Sequence, residues 1–75
     1  MNLDDFVAKF AELFDDTDPS EISASTEFHD LEEWSSLTGM AALAMSKTQY
    51  GKVVTGAELR ACVTVEDFFN LIKNK

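Results

Sequence analysis

The sequence predicts an all-α fold: a small bundle of three main helices, one short extra helix and a long first loop. Three observations predict it. Apolar residues recur at steps of three and four over the start, middle and end of the chain. Thr55 and Thr64 each precede an acid by three positions, the pattern of a capped helix entry. No alternating run bounded by a tight-turn dipeptide signals a hairpin, and no segment repeats. At 75 residues the chain is read as one domain, 1–75, large enough for a small core.

Leu3, Phe6, Val7, Phe10, Leu13 and Phe14 share one face of a first helix expected over about 3–14. Asn2 is its expected N-cap, and Asp4 and Asp5 suit the positive end of its dipole. The run Asp-Asp-Thr-Asp-Pro-Ser, 15–20, ends it with turn residues and the only proline. From Thr17 to Ser35 no period is sustained, and Ile22, Phe28, Leu31 and Trp34 read as apolar anchors of an ordered loop.

The second helix is expected over 36–50, ending at Gly51, which tolerates the left-handed conformation. Leu37, Met40, Ala41, Ala44 and Met45 are taken as its core face, leaving Gly39, Ala42, Ser46 and Gln49 outside. A short helix is expected over 56–61. The last, over 65–73, carries Val65, Phe68, Phe69, Leu71 and Ile72 as its buried stripe, with Lys73 at the negative end of its dipole.

Charge narrows the function classes. The net charge is -8, and residues 1–33 hold eleven acids against Lys9 alone, whereas the remainder holds three acids and five bases. Such a field repels nucleic-acid backbones and anionic lipid and favours basic protein surfaces. No apolar run is long enough to span a bilayer, and the first residues lack the basic start of a signal peptide. Cys62 is alone and is expected to be a buried small hydrophobe. A cytoplasmic monomer is the expected setting. Residues 16–27 place acids at several EF-hand positions, but Glu21 stands where the turn needs glycine, so no metal site is expected.

The paired serines Ser35 and Ser36 open the second helix. A serine there ordinarily caps the helix, its hydroxyl accepting from an otherwise orphan N–H. Two serines allow a division: Ser35 caps, and Ser36, with Leu37 turned to the core, points its hydroxyl to solvent. Helix N-termini also favour phosphate. His29, the one histidine, lies seven residues upstream beside Asp30, and no nucleophile-elbow motif surrounds Ser36, so a hydrolase built on this pair is not expected.

This order of elements, with Trp34-Ser-Ser-Leu-Thr38 at the second helix, Tyr50-Gly51, Val53-Val54, Glu58-Leu59, Val63-Thr-Val65 and Asp67, resembles the acyl carrier protein family over essentially the whole chain. The resemblance implies that Ser36, in the place of the family's Asp-Ser-Leu serine, carries a 4′-phosphopantetheine arm. A phosphopantetheinyl transferase would attach it from coenzyme A, and acyl groups would ride on it as thioesters between acyl-transfer or synthase enzymes. The carrier would catalyse nothing itself. Ser35 replaces the aspartate usual before that serine, and the second helix has no acid, only Lys47. Contacts with specialised fatty acid, polyketide or aminoacyl enzymes are therefore expected from Leu37, Met40, Glu32 and Glu33. The alternative is an acidic helical interaction module that is never modified.

Overall fold

The structure, a computed structural model, describes residues 2–75 and has the expected four helices in the expected order. They are α1 (Leu3–Ala11), α2 (Ser36–Tyr50), α3 (Gly56–Ala61) and α4 (Val65–Lys73), with short 3-10 turns at Pro19–Glu21 and Phe28–Asp30 in the loop between α1 and α2. The entries are capped as the residue types dictate. The Asn2 side chain accepts from Asp5 N–H, and Thr55 and Thr64 each form reciprocal capping boxes with Glu58 and Asp67. Gly51 ends α2 at φ 68°, a left-handed turn open to glycine without steric cost.

Helix α1 stops three residues before the expected 14. Leu13 N–H and Phe14 N–H donate to Phe10 and Ala11 carbonyls, three residues back, so the last turn tightens into 3-10 geometry. Phe14 is still delivered to the core.

All six phenylalanines are buried and form one aromatic cluster. Phe10 lies 5.5 Å from Phe28 and 6.1 Å from Phe68, and Phe6 lies 5.5 Å from both Phe68 and Phe69, mostly edge to face. This cluster joins α1 to α4 and fastens the loop through Phe28. The loop is also laced by backbone: Val65 N–H donates to Thr26 C=O and Glu66 N–H to Ala24 C=O, beside an isolated antiparallel bridge between Glu27 and Thr64.

The phase of α2 differs from the expectation. Its buried residues are Ala42, Met45 and Ser46, while Leu37 is 78% exposed and Met40 66% exposed. Leu37 and Ser46 are nine residues apart, about half a turn out of phase, so they cannot both face inward. Ser46 wins because its hydroxyl is satisfied inside: it lies 2.8 Å from Leu43 C=O and 3.0 Å from Lys52 C=O, while Lys52 N–H donates back to Ser46 C=O. Met45 is buried as expected, Leu43 and Tyr50 also pack against the core, and Leu37 and Met40 are the large apolar side chains of α2 left in water. Cys62 is buried as expected, its thiol pushed up by desolvation and by the Asp67 and Glu58 charges.

Candidate functional site

Ser35 takes an extended backbone and caps α2, its Oγ accepting from Thr38 N–H at 3.4 Å. Ser36 is the first residue of the helix and exposed, and among the described residues its hydroxyl has no hydrogen-bond partner. The expected division between the serines therefore holds, though by another route than a buried Leu37. The cap is itself braced: Thr38 Oγ1 donates to Glu33 C=O and lies 3.3 Å from Ser35 Oγ.

Ser36 stands at the edge of a groove of about 470 Å³ between the N-terminal half of α2 and α3. Gly39 and Leu43 follow Ser36 at steps of three and four and form one wall, with Met40 at the outer rim. Leu59, the buried residue of α3, forms the facing wall. Trp34 closes the inner end, packed 4.8 Å from Phe28 and 6.2 Å from Phe10, so the groove rests on the aromatic core. Arg60 brings the groove's one full cation, and among the described residues it forms no ion pair.

His29 also lines this groove, but its ring lies over Phe28 at 4.3 Å and edge-on to Trp34 at 5.4 Å. Its Nε2 is 3.4 Å from Leu59 C=O, and no hydrogen bond joins it to Ser36 among the described residues. A nucleophile activated by this histidine would need that bond.

The two expected loop glutamates have different surroundings. Glu32 is exposed. Glu33 accepts from Asp15 N–H at 2.6 Å, Asp16 N–H at 3.0 Å and the Thr17 hydroxyl at 2.8 Å, which ties the end of the loop to its beginning. Desolvation pushes this carboxyl up, and the hydrogen bonds from Asp15, Thr17 and Asp16 together outweigh it, leaving the group below its ordinary range. A carboxylate so engaged is a structural tie, and Glu32 is the acid left facing outward.

Sequence reasoning does not single out Trp34, Leu43, Leu59 or Arg60 as site residues. Leu43, seven residues after Ser36, shares its helical face and could be flagged by period; Trp34 lies in the loop before the cap, and Leu59 and Arg60 come from a separate helix, so none of these three has such a signal. Among the described residues, no three His, Cys, Asp or Glu side chains group to hold a metal, and no helix is long and apolar enough to cross a membrane. No family model, curated protein or solved structure matches the chain.

Proposed function

We propose that this protein is a carrier whose Ser36 holds a 4′-phosphopantetheine arm and that the arm presents acyl intermediates as thioesters to partner enzymes. One observation carries the reading: an exposed serine with an unengaged hydroxyl, at the N-terminus of a 15-residue helix, borders an apolar groove. The first N–H groups of α2 and its dipole favour the negative phosphodiester that the arm brings. The groove offers an apolar chain shelter from water, and tethering keeps the intermediate at high local concentration for each partner. The chemistry belongs to the transferase and the partner enzymes; the carrier's residues bind, orient and shelter.

Partner contact is assigned to Leu37 and Met40, the exposed apolar residues beside Ser36, with Glu32 at the loop end. Since α2 has no acid, this contact is mainly apolar. The test is intact mass after incubation with coenzyme A and a broad-specificity phosphopantetheinyl transferase. Wild type and Ser35→Ala gain the arm, and Ser36→Ala does not. Absence of the increment from wild type across several transferases would sink the reading.

The same exposed Leu37 and Met40 also favour a second reading, an interaction module that works unmodified. Recovery of the same partners by Ser36→Ala and wild type, with neither carrying an arm in its own host, would select it.

A further inference from the structure

Gly39 lies in the interior of α2, where glycine weakens a helix relative to alanine. Nothing in the fold requires it. Its φ is not positive, Gly51 being the one glycine in that region among the described residues. A Cβ built at 39 would meet Trp34 Cζ2 at 3.7 Å and Leu59 Cδ2 at 4.0 Å, ordinary van der Waals contacts. Alanine would therefore fit the empty protein and strengthen its helix. What a side chain would occupy is the lining of the groove at Gly39, between Trp34 and Leu59 and within one helical turn of Ser36.

We infer that Gly39 is the residue that sets the depth of this groove and that its bare Cα admits an unbranched apolar chain anchored at Ser36. The inference rests on Ser36 as the anchor and goes further by naming the position that selects among chains. A straight chain passes between Trp34 and Leu59 over Gly39. A side chain at 39 fills that passage, and longer chains then gain nothing from their extra methylenes.

The test anchors the chain without any transferase. In a Ser36→Cys, Cys62→Ala background, the introduced thiol is treated with ethyl, butyl, hexyl and octyl methanethiosulfonates. Its thiolate attacks the reagent's alkylthio sulfur, forming a mixed disulfide and releasing methanesulfinate, and Tm is read for each product. With Gly39 present, Tm rises with chain length, by about 4 °C or more from ethyl to octyl, as methylenes leave water. With Gly39→Leu the rise disappears, and with Gly39→Ala it is reduced. The ethyl-labelled Gly39→Ala protein has a Tm at or above its glycine counterpart, which separates a blocked groove from a damaged helix. A length-dependent rise retained in Gly39→Leu, or none with Gly39 present, overturns the inference. The outcome is independent of the transferase experiment, so a chain that fills the groove in a protein never given an arm would remove the proposed function and leave the role of Gly39 standing.

Discussion

Single side chains in this protein carry functions that their types alone do not announce. The Ser35 cap could be read in advance, since capping is decided within four residues, whereas the exposure of Ser36 was expected from a buried Leu37 that the structure leaves in water. The role of Glu33 could not, because its hydrogen-bond donors lie sixteen to eighteen residues upstream. Glu33→Ala is expected to lower Tm and raise protease sensitivity at residues 15–33, whereas Glu32→Ala leaves both unchanged. Acid should act through the same group. Glu33 is held low as described, Asp67 by Thr64 and Val63 N–H, Glu58 by Thr55 N–H and then Lys75, and Asp18 by the Ser20 N–H. A carboxyl whose folded-state pKa is depressed adds stability that is complete above its unfolded value and vanishes as pH falls through the folded one. Tm should therefore be flat near neutrality and fall through the lower carboxylate range. In Glu33→Gln that fall should be shallower, as a pH series of thermal melts would show.

Among the elements, α3 and α4 were legible to the residue, because a threonine and an acid three positions later close a box that needs nothing from elsewhere. The phase of α2 was not, because it depends on Ser46 finding Lys52 C=O beyond the end of the helix. Spacing counted from Leu37 picks the face with Met40, but apolar residues lie nearly all round α2, so hydrophobicity leaves its phase open. Ser46→Ala is expected to cost about 1 kcal/mol, the usual worth of a lost buried hydrogen bond, measured by urea denaturation. Leu37→Ala and Met40→Ala should leave Tm within about 1 °C, since exposed side chains contribute little to folding. If the proposed partner surface is right, the same two changes slow acyl transfer from a cognate enzyme several-fold, with little dependence on salt. A strong salt dependence would instead point to the acidic loop.

At the scale of the whole molecule, the helical class was legible because period, caps and the absence of hairpin turns agreed. The groove was invisible, since its walls come from the loop, α2 and α3, and no local pattern joins Trp34 to Leu59. The radius of gyration, 11.0 Å, is that of a compact chain of this length, about 11 Å. Stability in so small a body depends on few groups. Phe10 touches Phe6, Phe14, Phe28, Trp34 and Phe68, so Phe10→Ala is expected to cost about 3 to 5 kcal/mol, enough to leave little folded protein by circular dichroism. The bonds from Val65 and Glu66 to the loop carbonyls supply a different handle. The first N–H groups of a helix ordinarily trade their hydrogens with solvent freely, but these two are covered by Thr26 and Ala24. Their exchange rates are thus a clock for the loop lifting off α4. An enzyme that pries the loop open would speed that clock, and one that only touches α2 would leave it running as before.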